Sequence, residues 1–389
     1  MFSWLALVAF IILSSILILI VQSISEDPSI PEQPDTYTEN QMIVKFKDGI
    51  TQEVIEQIHT NNKCTMLEQN GDLGFQLLES KYTTSKMIKL YNKLDEVEYV
   101  EPNYKVEAFL TPNDTFYSYQ YGPQRISVPS AWDVTTSNSS ITVAVVDTGV
   151  QANHPDLVNK LLPGYNFVAR NTNVTDGNGH GTHVAGIAAA STNNNLGVAG
   201  IAPSARILPI KALDDTGNGA LTNIANAIIY AANQGAEVIN LSLGTTQDST
   251  TLRNAIDYAI SRGSVVVAAS GNNGANILTY PAVYQNVIAV ASTDENDQRS
   301  SFSNYGTWVD VAAPGSNILS TYPNSYYSYL SGTSMACPHV AGLAALLAAQ
   351  GRSNVQIRNI IQNTSDPIPG TGTFWVYGRI NANQAVRQP

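Results

Sequence analysis

Ile141-Thr142-Val143-Ala144-Val145-Val146-Asp147-Thr148-Gly149 is the stretch from which the rest of the chain becomes readable. It is apolar or β-branched up to Val146, lacks the polar alternation of a half-solvated strand, and stops at a carboxylate and a turn. Such a strand is buried on both faces, the condition of a parallel sheet covered by helices. Runs of the same kind recur at Arg206–Ile210, Val238–Leu243, Ser264–Ala269 and Val287–Ala291, with helix-period segments between them. The alternation predicts an α/β fold with a parallel sheet flanked by helices. In such sheets the reactive groups sit just beyond the C-terminal ends of the strands. The turns after these runs are therefore where chemistry is expected.

Three turns carry reactive side chains. Asp147 ends a buried strand, where a carboxylate is partly desolvated and needs a partner. Taken alone it reads as a cap or turn residue. Gly177-Asn178-Gly179-His180-Gly181-Thr182-His183-Val184-Ala185-Gly186 places His180 at the mouth of a glycine-rich turn, with small residues behind it for a helix packed close to the sheet. His183 reads as a buried core residue, because a zinc pair with His180 lacks a third ligand at a usable spacing. Ser331–Gly342 places Ser334 at the start of an apolar helix running to about Ala349, with Pro338 tolerable only in a first turn and His339 buried in the helix. Ser334 alone reads as an N-cap. Its hydroxyl also lies at the positive end of the helix dipole, where a nucleophile is favoured. Jointly, Asp147, His180 and Ser334 form a triad pattern. Their chain order excludes the α/β-hydrolase order, and no G-x-S-x-G elbow surrounds Ser334.

Composition narrows the reading further. The chain has 389 residues, 43% apolar and only 13% charged, which allows a large core and excludes disorder. A net charge of −11 argues against nucleic acid as a partner. Two cysteines exclude a disulfide scaffold and a four-thiolate zinc site. Residues 1–109 carry 8 Lys, no Arg and 16 Asp/Glu, whereas residues 110–389 carry 2 Lys, 10 Arg and 15 Asp/Glu. The break marks a module boundary. In the first module, strands at Gln41–Phe46, Gly74–Leu78 and Val97–Glu101 and helices at 52–60 and 84–94 resemble a small β-α-β-β-α-β, ferredoxin-like sandwich. It holds no catalytic cluster; His59 reads as a solvent-exposed helix residue and Cys64 as an ordinary thiol. Met1–Val21 is one apolar run without Lys or Arg, read as an export signal or a retained membrane anchor. The expected organisation is leader 1–25, linker 26–39, first module 40–108 and catalytic domain 109–389.

The stretches VAVVDTGVQANHPDL (143–157), NGHGTHVAGIAAA (178–190), GVAGIAPSARI (197–207), INLSLG (239–244), VVVAASGNNG (265–274) and SGTSMACPHVAGLAALLA (331–348) resemble the subtilisin-like serine peptidases, in their thermitase branch. The likeness runs through almost all of 110–389, including GTGTFWVYGRINANQAV at 370–386. The first module resembles the inhibitor propeptide of that family. The resemblance implies a secreted, calcium-stabilised serine endopeptidase made as a self-processing zymogen, with its own propeptide as intramolecular inhibitor and a monomeric mature form. Ser334 would be the nucleophile, His180 the general base and acid, Asp147 the group that orients the imidazole, and Asn272 an oxyanion donor; Asn272 alone reads equally as a positive-φ turn residue. Self-cleavage is expected between about Val106 and Thr111, where Ala108, Phe109 and Leu110 suit an apolar S1 site.

Substrate would pair as an added strand with Gly217-Asn218-Gly219 and Ser242-Leu243-Gly244, which carry little side-chain bulk. S1 would be walled by Ser242-Leu243-Gly244 and Ala269-Ser270-Gly271, and Leu221 would line S4. These walls carry no charge, so apolar or aromatic P1 and P4 residues are expected. Asp114 and Asp156 match the carboxylates of the family's tight calcium site. The loop 191–198 would add the Asn194 side chain and the carbonyls of Ser191, Leu196 and Val198. At the second calcium loop, Asn166, Ala169 and Asn171 replace acidic ligands and imply a weakened or lost site. Asp310 matches a weak cation site. Cys337 is expected as a free, buried thiol beside Ser334. The competing readings are a catalytically silent subtilisin-fold peptide-binding module, which the intact set of four residues disfavours, and a zinc hydrolase, which lacks ligands.

Overall fold

The structure, a computed structural model, describes residues 37–106 and 111–389, and its contacts divide the chain into Met1–Ala108 and Phe109–Pro389. The leader, most of the linker and the expected cleavage segment around Ala108–Leu110 lie outside the described residues.

In the first unit the order is β1 (Tyr37–Phe46), α1 (Gln52–Asn61), β2 (Cys64–Gln69), β3 (Phe75–Ser80), α2 (Thr84–Tyr91) and β4 (Val97–Tyr104). The strands pair antiparallel in the order β2-β3-β1-β4. Met42, Val44 and Phe46 alternate along β1 and meet Leu78, Met87 and Tyr91 in one small core. The period-two pattern thus selects the face that both helices cover. His59 departs from its sequence reading. It lies four residues after Ile55 on the inward stripe of α1, is buried, and is held by the Tyr91 hydroxyl (2.9 Å) and Gln76 Oε1 (2.8 Å). Burial holds its pKa below the ordinary histidine value despite the Gln76 hydrogen bond.

The second unit opens with short helices α3 (Tyr121–Arg125) and α4 (Val128–Trp132). There follow β5 (Thr142–Asp147), β6 (Tyr165–Asn166), α5 (His180–Ala189), β7 (Arg206–Lys211), α6 (Leu221–Asn233), β8 (Val238–Leu241), α7 (Thr250–Ser261), β9 (Val265–Ala269) and β10 (Ile288–Thr293). The chain continues through β11 (Val311–Pro314), the hairpin β12 (Ile318–Tyr322) and β13 (Tyr326–Leu330), α8 (Thr333–Ala348), α9 (Asn354–Asn363), β14 (Gly378–Arg379) and α10 (Ala382–Val386). Eight strands form one sheet in the order β14-β11-β10-β9-β8-β5-β7-β6, every pair parallel. In β5, Val143 and Val145 face a core that includes α5 and α8 residues, while Ala144 and Val146 face one that includes α6 and α7 residues. Two covered faces explain why the strand reads as one apolar run.

The order reverses at β5, which lies between β7 and β8, so the chain leaves β5 in opposite directions on its two sides. That switch opens a crevice at the C-terminal ends of the strands. Helix α5 can enter it because its second residue is glycine: a Cβ at Gly181 would lie 2.1 Å from the Gly149 carbonyl oxygen. Pro338 is the second departure from the sequence reading. It is the sixth residue of α8, beyond the first turn, and its missing N–H leaves the Ser334 carbonyl without an i+4 donor. The Ser242 hydroxyl takes that place, donating to the Ser334 carbonyl at 2.9 Å.

Candidate active site

Asp147, the last residue of β5, is fully buried and faces His180, the first residue of α5. The His180 Nδ1–Asp147 Oδ1 distance is 2.7 Å, and the Thr148 N–H donates to the same oxygen at 2.7 Å. Asp147 Oδ2 is buried without a partner among the described residues. Burial would lower the His180 pKa, but the Asp147 charge, its hydrogen bond and the Asp176 charge hold it above the ordinary histidine value. With Nδ1 engaged as donor, Nε2 of the neutral ring is left as the basic nitrogen.

Ser334 is the second residue of α8, where a backbone N–H has no intrahelical acceptor. Its hydroxyl donates to the Ser242 carbonyl at 3.1 Å, and among the described residues no hydrogen bond joins it to His180. Asn272 follows β9. Its Oδ1 accepts from both the N–H and the hydroxyl of Thr333, each at 2.9 Å, which fixes the amide orientation and leaves Nδ2 with no acceptor among the described residues. Asn272 and Ser334 line one cavity of about 320 Å³ together with Ala269, Gly271, Leu243 and Gly244. Thr279 and Asn273 add polar atoms to it, and among the described residues no charged one lines it. His180 lines a neighbouring cleft of about 820 Å³ with Gly217, Gly219, Leu221, Ser242, Leu243 and Gly244. Leu243 and Gly244 line both spaces.

Two other histidines of this unit, His183 and His339, are structural. His183 Nε2 meets the carbonyls of Ile318 and Ser328 at 3.0 and 2.9 Å, and His339 Nδ1 donates to the Met335 carbonyl at 2.8 Å. Burial pushes each of them down to about 4, so both stay neutral. Cys337 is a buried free thiol, raised in pKa by its burial.

Asp114 and Asp156 converge on the loop at 191–198. Asp114 Oδ2 accepts from the Asn193 N–H at 2.9 Å, but Oδ1 is buried with no partner among the described residues. Burial first, and the like charge of Asp156 last among its neighbours, raise the Asp114 pKa. Asp156 Oδ2 accepts from the Val198 N–H at 2.9 Å. An orphaned carboxylate oxygen beside a second carboxylate fits a hard cation. Asn194 turns its amide nitrogen to Asp156 (2.9 Å), while its oxygen accepts from the Leu196 N–H. Asp310 is paired within the chain: Arg358 and Gln362 both donate to Oδ1 and the Ala289 N–H to Oδ2. Asn166 closes its own loop, with Oδ1 accepting from the N–H groups of Val168 and Ala169. Sequence reasoning passed over Asp176 and Thr148, which tie the Asp147–Thr148 turn to α5, and Tyr327, which hydrogen-bonds Asp156.

The subtilase family model matches residues 138–384, and the fervidolysin N-terminal prodomain model matches residues 25–103. The chain is 51% identical over 368 residues to a thermophilic serine proteinase of Bacillus sp. (strain AK1), covering 92% of this chain and 90% of that one. It is 59% identical over 278 residues to thermitase of Thermoactinomyces vulgaris, covering 71% of this chain and 99% of thermitase. A solved protease from Pseudoalteromonas arctica PAMC 21717 superposes with a TM-score of 0.67 at 36% identity, over 71% of this chain and 99% of that one. A buried Asp–His pair, a serine at a helix start and these matches agree: the chain belongs to the subtilase family of serine proteases and carries an N-terminal prodomain.

Proposed function

We propose that the protein is a secreted, calcium-stabilised endopeptidase that cleaves proteins through Asp147, His180 and Ser334, and that it matures by cutting itself. The observation that carries the reading is the 2.7 Å contact of Asp147 with His180 Nδ1, which leaves Nε2 as the base of the crevice. Ser334 Oγ leaves the Ser242 carbonyl, gives its proton to Nε2 and attacks the scissile carbonyl. The oxyanion takes hydrogen bonds from the Ser334 N–H and Asn272 Nδ2. His180 returns the proton to the leaving amine, and water then hydrolyses the acyl-enzyme by the same route. The peptide runs as a strand between 217–219 and 242–244, with its P1 side chain in the uncharged cavity beside Asn272. Apolar and aromatic P1 residues are preferred.

Asp114, Asp156 and the 191–198 loop would hold calcium, which supplies the positive charge that their orphaned oxygen lacks. The domain boundary falls near 108/109, with Ala108–Leu110 as the processing segment and residues 40–108 as inhibitor. Met1–Val21 directs export, as signal or anchor; among the described residues no helix is long and apolar enough to cross a membrane. The mature form is monomeric. The test is labelling by an organophosphorus fluoride: an adduct on Ser334 of processed protein, absent in Ser334→Ala, is expected. Processed protein that takes no adduct would leave a silent peptide-binding subtilase.

A further inference from the structure

A second buried carboxylate beside His180 is used by none of the steps above. Asp176 is 5% exposed and accepts five hydrogen bonds. Oδ1 takes the Thr148 hydroxyl (2.8 Å) and the N–H groups of Asn178 (3.1 Å) and Gly179 (2.8 Å). Oδ2 takes the N–H (2.8 Å) and hydroxyl (2.6 Å) of Thr182.

Three of these donors are backbone amides at the start of α5, whose first residue is His180. A helix N-terminus disfavours an imidazolium, because its free N–H groups carry positive partial charge. A carboxylate seated on them cancels that charge. Thr148 supplies the mechanical link. Its hydroxyl also accepts from the Gly181 N–H (3.0 Å), and its own N–H donates to the Asp147 oxygen that faces His180. Other charged or titratable groups among the described residues lie near the His180 ring. Asp147 faces it from β5, and neutral His183 sits one turn along α5. Lys211 of β7 is engaged by the Thr148 carbonyl and Asp215, and α8 presents the Cys337 thiol.

We propose that Asp176 is a positioning residue for peptide hydrolysis, a second carboxylate that stabilises the His180 imidazolium and locks the Asp147–Thr148 turn onto the start of α5. This rests on His180 as the general base. The test compares two variants of processed enzyme by kcat/KM against pH. Asp176→Asn removes the charge; Thr182→Val keeps it and removes one donor that shields it. With the charge gone the neutral ring persists to lower pH, so the acidic limb of Asp176→Asn moves down by roughly half to one pH unit. With the charge less shielded, the limb of Thr182→Val moves up by a smaller amount. An Asp176→Asn limb that stays in place, or limbs that move the same way in both variants, would reduce Asp176 to a helix cap and overturn the proposal. If Asp176→Asn fails to mature, Thr182→Val decides alone, and an unmoved or lowered limb overturns it. Titration of Ser334 with an organophosphorus fluoride in unmutated enzyme separates this from failure of the triad assignment.

Discussion

Asp176 and Asp114 are both 5% exposed, and the chain treats them in opposite ways. Asp176 collects five donors from its own neighbourhood, so its charge is met from within. Asp114 has an oxygen with no partner among the described residues and a second carboxylate close by. One region is electrostatically closed and serves to place a histidine. The other is short of positive charge and, under the proposed calcium site, would be completed from outside. Burying a carboxylate costs several kcal/mol unless it is paired, so the two regions should respond differently to mutation and to the solution.

The largest effect belongs to Asp147, which Thr148 ties to the Asp176 network and which faces His180. Asp147→Asn should lower kcat about 10⁴-fold by stabilising the wrong imidazole tautomer. The amide oxygen can still accept from the Thr148 N–H, so the melting temperature should hardly move. Peptide hydrolysis and calorimetry on the same preparation check this; a large fall in melting temperature would place Asp147 in the framework rather than the chemistry.

In the open region stability should follow the cation. Calcium at about 100 times its dissociation constant adds roughly 2.7 kcal/mol to the native state. Chelation should then lower the melting temperature by about 5–10 °C and speed autolysis in the 191–198 loop. Asp156→Ala should melt low with calcium present and ignore the chelator. Asp310→Asn, which leaves Arg358 unpaired, should lower the melting temperature by the same amount with and without calcium. A chelator-insensitive unmutated enzyme would erase the contrast.

The prodomain offers a smaller effect through His59. Its pKa is depressed in the folded unit, so the neutral ring is the stabilising form. That contribution is complete above the ordinary histidine value of about 6.5 and is lost as pH falls through and below it. Denaturant unfolding of the prodomain in the Ser334→Ala precursor should show a midpoint that falls on acidification, and His59→Gln should flatten the slope. The smallest effect is expected at Cys337. Cys337→Thr should change kcat/KM by less than about twofold while abolishing inactivation by mercurials. Iodoacetamide should be slow on the unmutated enzyme, since burial keeps the thiol protonated. Undiminished mercury inhibition of the variant would show that the thiol is irrelevant.

The same contrast explains what was legible in the sequence. β5, β7, β8, β9 and β10 were readable because both of their faces are buried and the apolar runs are unbroken. The hairpin β12–β13 was not, since its loop takes positive φ at Asn324 and Ser325, without the glycine that would have marked it. Ile55 and His59 stand four apart on one helix stripe, but the burial of a polar ring there depends on Tyr91 and Gln76, which are distant in the sequence. Asp147, His180 and Ser334 stood out by their glycine-rich turns. Asp176 gave no such signal, because its partners are mostly backbone N–H groups that no side-chain pattern announces. Asp114 and Asp156 are 42 positions apart, and only the family likeness connected them before the fold did.

Pro338 has one more consequence. By withholding an N–H it frees the Ser334 carbonyl for the Ser242 hydroxyl, which completes a double clasp of residues 242 and 334, hydroxyl to carbonyl in both directions, at 2.9 and 3.1 Å. Under the proposed subsites, the residue that attacks and the strand that grips the peptide therefore share one mount. Thermal breathing of the crevice carries both together, so the gap between hydroxyl and scissile bond is governed by local tolerance instead of the accumulated play of a whole sheet and helix. Such an enzyme can loosen at its rim as temperature rises and still keep its aim.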